Sequence, residues 1–272
     1  MVATGDTSMN DTIRSKRMAM VSAGFAIDNA RSEGGHVAKV IPSALTAELR
    51  EAVDTLLLME RLMITLYYTG LTSPSVMRDN RLSGPSGDPI NPGLPPGGNP
   101  AQVRYLQAAL DAEVKHAAIL FEMGATSSMR SFYFPPSIFT LLGSTMNRAS
   151  FLGTLDMLET VCVGAYIAAA TQFIHGGRPD LAATAAAIMG VESEHRTLGR
   201  VIANITPANS RTLETAPYAV VAEVVDAIQP FVDGTRFLFA SGAPRPVAVP
   251  TAAQTARVIG RHGTRLVHTF KV

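Results

Sequence analysis

Cysteine, tryptophan and charge are all scarce in this 272-residue chain, and each shortage removes a class of function. The single cysteine, Cys162, forbids an internal disulfide and any structural zinc site built on thiolates. A metal held here needs Glu, Asp and His, and hard oxygen ligands with a few imidazoles suit iron or manganese. Charged residues make up 17% of the chain, the net charge is +1 and there is no Trp, so no broad basic surface offers itself to nucleic acid. No uninterrupted apolar run approaches the roughly 18 residues that a bilayer span needs. Arg14, Lys16 and Arg17 precede an apolar stretch at 18–27 in the order of an export signal. That stretch contains Ser22 and Gly24 and has its small-residue steps inside the run, so a cytoplasmic location is favoured and export is the weaker reading.

What the chain has is 47% apolar residues, ample for a packed core, and one short pattern that occurs twice: Glu113-x-x-His116 and Glu192-x-x-His195. A three-residue step on a helix puts carboxylate and imidazole on one face about one turn apart, which is how a helix offers two ligands to one metal. Chance alone would supply about a quarter of one such pair in a chain of this composition, so two are informative. Two other stretches of helical period carry one Glu each at a core position. These are Leu56, Glu60, Met63, Tyr67 and Leu155, Glu159, Cys162, Tyr166.

Taken in order, residues 1–42 read as an N-terminal arm closed by Pro42. A first helix is expected from Ala44 behind Ser43 to Tyr68. Residues 69–100 are rich in Pro and Gly and form a long loop, the kind that serves as a lid or a binding loop. A second helix runs from Ala101 to Met123, a third from about Arg148 to His175, and a fourth from Pro179 to about Ile205. The 23 residues between the second and third can cross the length of a bundle, since extended chain covers roughly 3.3 Å per residue against 1.5 Å in a helix. Such a crossover sets those two helices parallel. A fifth helical piece is expected from Pro217, kinked at Pro230 and ending near Phe239. The end of the chain, opening with Pro244, Pro246 and Pro250, has five Lys or Arg and no acid, and reads as a solvated or packed extension rather than a contact arm. This gives an arm over 1–42, a bundle over 43–205 with an insertion over 69–100, and a helix with a basic tail over 206–272.

The two halves of the bundle correspond. Glu60 then Glu113-x-x-His116 is repeated as Glu159 then Glu192-x-x-His195, and Tyr67 and Tyr166 each follow the first Glu by seven residues. A lone Glu is ordinarily a solvated surface residue, but the apolar neighbours in each stripe place these four inside. Four ionised, unpaired interior carboxylates would each cost several kcal/mol. No Lys or Arg occupies the stripes, so protons or two divalent ions must compensate. His36, His175, His262 and His268 lack the spacing, and Glu122 and Glu194 fall off the inward face. Asp156 has two readings, a hydrogen-bond partner of a ligand histidine or a surface group. Tyr67 and Tyr166 are core tyrosines whose functional reading is electron or proton donation near the metals, and Cys162 reads as packing.

At these residues the sequence resembles the ferritin-like di-metal carboxylate superfamily, which includes ferritins, rubrerythrins, manganese catalases and the small subunit of ribonucleotide reductase. Its extra C-terminal helix and long loops look most like the ferritin-like proteins related to desiccation and stress response. The resemblance implies an all-α four-helix bundle with a long connection between the second and third helices. It implies two metal ions, iron before manganese, with Glu60 and His116 terminal on one, Glu159 and His195 terminal on the other, and Glu113 and Glu192 bridging. Some members carry an Asp-Glu-x-Arg-His form; here Ala112 and Val191 precede the Glu, and Lys115 and Glu194 replace the Arg. The function implied is an oxidoreductase that reacts with dioxygen or hydrogen peroxide, as a ferroxidase, peroxidase or catalase. The alternatives are an iron-binding, stress-protective protein without turnover and an oxygenase of organic substrates. A monomer or small homo-oligomer is expected rather than a 24-subunit cage.

Overall fold

The first bundle helix begins where Thr46 accepts a hydrogen bond from the Leu49 N–H at 3.3 Å. This helix, α1, spans Ala47–Thr72. In this computed structural model residues 45–84, 98–211, 214–235, 237 and 241–260 are described. The N-terminal arm with its export signal, Ser43, the Pro/Gly run over 85–97, His36, His262, His268 and the basic end of the tail lie outside the described residues. The cap of α1 is therefore Thr46, three residues later than the expected start implied. At its other end α1 passes the expected stop at Tyr68, because Gly70 does not break it. A Cβ at Gly70 would stand 2.2 Å from the Phe151 ring, so glycine is what lets that ring lie on the helix. Ser73 and Pro74 then start a single turn, α2 (Pro74–Met77), so the first part of the expected 69–100 loop is helical.

Asn99 and Pro100 open α3 (Pro100–Glu122), within one residue of expectation. Ser150 caps α4 (Phe151–His175) by accepting from the Gly153 N–H at 3.3 Å, which sets its start past the expected Arg148. Pro179 opens α5 (Pro179–Ile202). This helix stops short of Ile205 because Asn204 takes a left-handed φ of 59°. By length and composition alone α4 would suffice to cross a membrane, with a mean hydropathy of 1.4. Its apolarity has a simpler source, since it lies mostly buried against α5 and carries Glu159 in its middle.

Helix directions follow from the cross-bundle partners. Tyr166 on α4 hydrogen-bonds Glu60 on α1, while Glu159, seven residues back, meets Tyr67, seven residues on. Helices α1 and α4 are therefore antiparallel. Glu113 meets His195 and His116 meets Glu192, so α3 and α5 are antiparallel too. The short turn through Gly176 and Gly177 reverses α4 into α5. It follows that α3 runs parallel to α4 and that residues 123–150 must travel the length of the bundle. They do so tied to α1, where Asp54 accepts from the Thr126 N–H (2.5 Å) and Arg61 donates to the Met129 carbonyl (2.7 Å).

After α5 the chain wraps the outside of α4. Gly164 leaves room for Pro217, whose ring would lie 2.4 Å from a Cβ there, and Gln172 accepts from the Val221 N–H at 2.7 Å. The fifth helix, α6, is Val224–Asp233 with Pro230 inside it, shorter than the span expected from Pro217. The expected tail holds more structure than its prolines suggested. Strand β1 (Ser131–Phe134), in the crossover, pairs antiparallel with β2 (Arg245–Ala248), and α7 (Ala252–Ile259) follows behind a capping box of Thr251 and Gln254. Pro246 fits because a two-stranded ribbon has only edges. Gln107 on α3 donates to the Val258 carbonyl at 2.8 Å and holds α7 against the bundle.

Candidate metal centre

Each bundle helix brings its ligand-type residues to mid-length on the inward face. Glu60, Glu113, Glu159 and Glu192 are all 0% exposed, and His116 and His195 are 6% and 5% exposed. They form two overlapping groups: Glu60, Glu113, His116, Glu192 and Glu113, Glu159, Glu192, His195. Within each group the donor atoms lie within 4.8 Å of one another, so that small side-chain shifts could bring them onto one ion. Glu113 and Glu192 belong to both groups. The sequence thus placed all six residues in one cluster, and the structure brings all six together.

Hydrogen bonding leaves the cluster incomplete. Glu60 Oε2, Glu113 Oε2, Glu159 Oε2, both oxygens of Glu192 and His116 Nδ1 are buried without a hydrogen-bond partner. His116 Nδ1 lies 2.8 Å from Glu192 Oε1, yet not in hydrogen-bonding geometry. His195 Nδ1 pairs with Glu113 Oε1 at 2.8 Å. Buried polar atoms of folded proteins are nearly all paired, and this concentration of orphaned oxygens is a group that could hold a cation.

Proton affinities tell the same story. Burial, reinforced by the charges of Glu192 and Glu60, pushes the Glu113 carboxyl far above the carboxylate range; burial, Glu192 and Glu113 do so for Glu159. Burial opposes a charged His116, but Glu113, Glu192 and Glu60 outweigh it and raise its pKa. His195 is likewise raised against burial, by Glu192 and Glu159. Glu192 alone is held well below the usual range, because the two histidines close beside it, His116 and His195, overcome its burial. Metal ligands must give up their protons, so uptake of a metal pair here would compete with the protons that burial favours on Glu113 and Glu159.

Tyr67 and Tyr166 are 0% exposed and touch the cluster from the other hairpin. Tyr67 donates to Glu159 Oε1 at 2.5 Å and Tyr166 donates to Glu60 Oε1. Burial, then the neighbouring carboxylates, pushes both phenols well above their ordinary range, so they stay protonated. Cys162 is buried, and its thiol is pushed up by burial and by the same carboxylates.

Other readings resolve differently. Asp156 does not support a ligand histidine; it accepts from Arg200 Nε at 2.8 Å, joining α4 to α5. Glu122, Glu194 and His175 are exposed. One residue escaped sequence reasoning: Arg196, beside His195, is 2% exposed and pairs with Glu214 in the segment after α5. An Arg following an inward His would be read as solvated, and only its place one turn beyond Glu192 hinted otherwise.

The donor set fits two metal ions: four carboxylates balance four positive charges, and two neutral imidazoles complete the groups. A model of the ferritin-like domain family matches residues 50–204. Comparison with curated proteins and with solved structures gave no match. The matched span contains all four bundle helices almost whole and every residue of the cluster, and the chain belongs to the ferritin-like domain family.

Proposed function

We propose that the chain is a dinuclear metal oxidoreductase that reacts with dioxygen or hydrogen peroxide, with iron the favoured metal and manganese the alternative. The observation that carries this reading is the set of four wholly buried carboxylates with orphaned oxygens facing two imidazoles. Glu60 and His116 would serve one ion and Glu159 and His195 the other, while Glu113 and Glu192, common to both groups, would bridge. A metal pair held there would supply the electrons to reduce an O–O bond.

The chain's own part is to exclude bulk water, to orient the carboxylates and to hold protons. Tyr67 and Tyr166 keep the terminal carboxylates Glu159 and Glu60 in place through their O–H groups, and each holds a proton within one hydrogen bond of the cluster.

The test is metal analysis of protein purified without chelators, followed by assays on the loaded protein. Two ions per chain are expected. Oxygen evolution from peroxide would mark a catalase, and oxygen uptake that depends on Fe(II) a ferroxidase. A folded protein that takes up neither iron nor manganese refutes the reading, and one that binds two ions yet reacts with neither oxidant is a binding protein instead.

A further inference from the structure

One buried cation stands beside the cluster and takes no part in it. Arg196 on α5 is 2% exposed; its Nη2 donates to Glu214, while Nε and Nη1 are buried without a hydrogen-bond partner. One turn back on the same helix Glu192 is 0% exposed, and both its oxygens are buried without a hydrogen-bond partner. Bare donors and bare acceptors of opposite charge are thus four residues apart. On a helix that is the spacing at which an acid and a cation meet, and the acid towards the N-terminus is the better order. Helical side chains also lean back towards the N-terminus, which carries Arg196 over the turn of Glu192 rather than away from it. Yet the two are not bonded.

What keeps them apart comes from outside the bundle. Glu214 lies on the strap that follows α5, where its Oε1 takes Arg196 Nη2 and its Oε2 stands 3.7 Å from Arg211 Nη1. The strap has its own seating: Pro217 fills the space that Gly164 leaves on α4, and the Val221 N–H donates to Gln172. Glu214 is therefore the fixed anchor and Arg196 the part that can turn. A guanidinium stays charged wherever it is placed, and a buried charge without a counter-charge is strongly disfavoured. Asp156 offers no refuge, since it already accepts from Arg200. Released from Glu214, Arg196 has the open carboxylate of Glu192 one turn away. The other half of the bundle has no such competitor, because Ala117 follows His116 where Arg196 follows His195.

We propose that Glu214 is a positioning residue for the metal centre: by holding Arg196 it keeps the guanidinium off Glu192 and leaves that bridging carboxylate open to metal. The proposal rests on the dinuclear reading above and adds a control on loading, in which a strap outside the bundle decides whether the chain's own cation or a metal ion takes Glu192. Linkage makes the effect mutual, so metal on Glu192 favours Arg196 on Glu214 and the strap in place.

Two measurements on the full-length chain test it. Titration calorimetry with Mn(II) should show Glu214→Ala binding roughly 10–100-fold more weakly than wild type. Glu214→Ala with Arg196→Met should return to the wild-type affinity, because the competitor is gone, and Arg196→Met alone should match wild type. Wild-type affinity in Glu214→Ala, or a double variant as weak as Glu214→Ala, overturns the proposal, since a strap that merely supports the fold gives no such rescue. Should Glu214→Ala not fold, Glu214→Gln, which keeps an acceptor but no charge, should show the same loss and the same rescue to a smaller degree. The second measurement needs no metal: a crystal structure of the Glu214 variant should show Arg196 within about 3 Å of a Glu192 oxygen. Arg196 left where it stands in wild type overturns the proposal. If wild-type protein takes up neither manganese nor iron, the dinuclear reading falls, and the position of Arg196 in that crystal still decides whether Glu214 holds it off Glu192.

Discussion

The two sides of the cluster are built from corresponding halves of the chain yet behave as opposites. Between α1 and α4 stand Tyr67 and Tyr166, fully buried, each bonded to a carboxylate of the other helix. Between α3 and α5 stand His116 and His195, each beside a carboxylate of the other helix and each slightly open to solvent. Both pairs cross the bundle in the same reciprocal way, as a duplicated helical hairpin would produce. What differs is the group at the crossing: a phenol brings a proton that satisfies a carboxylate, whereas an imidazole nitrogen brings a lone pair that competes for a cation. One wall is made to stay closed and the other to be filled.

The largest effect should come from the carboxylates on the histidine wall. Replacing Glu113 and Glu192 together by Ala should take bound metal from two ions per chain to about none and abolish turnover, read by elemental analysis and oxidant consumption. Retained turnover would refute the assignment of the site. Saturating the wild-type protein with metal at about a hundred times the dissociation constant should add about 2.7 kcal/mol, seen as a rise in melting temperature.

Outside both walls, Glu214→Ala should cost about 3 kcal/mol, since it strands the buried Arg196 guanidinium, whose Nε and Nη1 already lack partners. Arg196 lies one turn from Glu192, so the loss should also lower metal affinity, whereas adding Arg196→Met should restore both stability and affinity. Equal affinity in all three proteins would show that the strap after α5 supports the fold alone.

On the tyrosine wall, Tyr67→Phe and Tyr166→Phe should each cost about 1–3 kcal/mol by leaving a buried carboxylate oxygen without its donor. If the walls are truly reciprocal the two costs should agree within about 1 kcal/mol, and each change should weaken the ion served by the opposite hairpin's Glu. Unequal costs would break the correspondence and show that one hairpin has taken over the anchoring.

Both walls were readable from spacing because side chains three, four and seven residues apart share a helix face whatever surrounds them. Glu60 and Tyr67, or Glu113 and His116, needed no knowledge of partners to be placed together. Partners across the bundle were another matter: nothing in the order of residues says that Tyr67 reaches Glu159 rather than its own Glu60, or that Asp156 spends itself on Arg200. Long-range pairing also hid the ribbon of β1 with β2, where Pro246 argued for a loop until Tyr133 lay opposite it. Helix ends shifted by a few residues wherever a hydroxyl not singled out, Thr46 or Ser150, took the cap.

Those caps carry the comparison to its smallest scale. Both tyrosine-wall helices start behind a hydroxyl, Thr46 for α1 and Ser150 for α4, and both histidine-wall helices start with Pro at the first turn, Pro100 for α3 and Pro179 for α5. A hydroxyl cap acts in the folded state, by accepting an N–H that the helix leaves unpaired, while proline acts mainly by restricting the unfolded chain. Thr46→Ala should therefore cost about 1 kcal/mol. Ser150→Ala should cost nearer 2, because Ser150 is buried and also donates to the Asn147 carbonyl at 2.6 Å. Pro100→Ala and Pro179→Ala should cost only about 0.4–1 kcal/mol each. Native-state hydrogen exchange separates the mechanisms: the cap variants should lose protection first at Leu49 or at Gly153, whereas the proline variants should lower protection evenly along the bundle. If the proline variants fray α3 or α5 locally instead, then those helices are held at their first turns as firmly as the tyrosine pair.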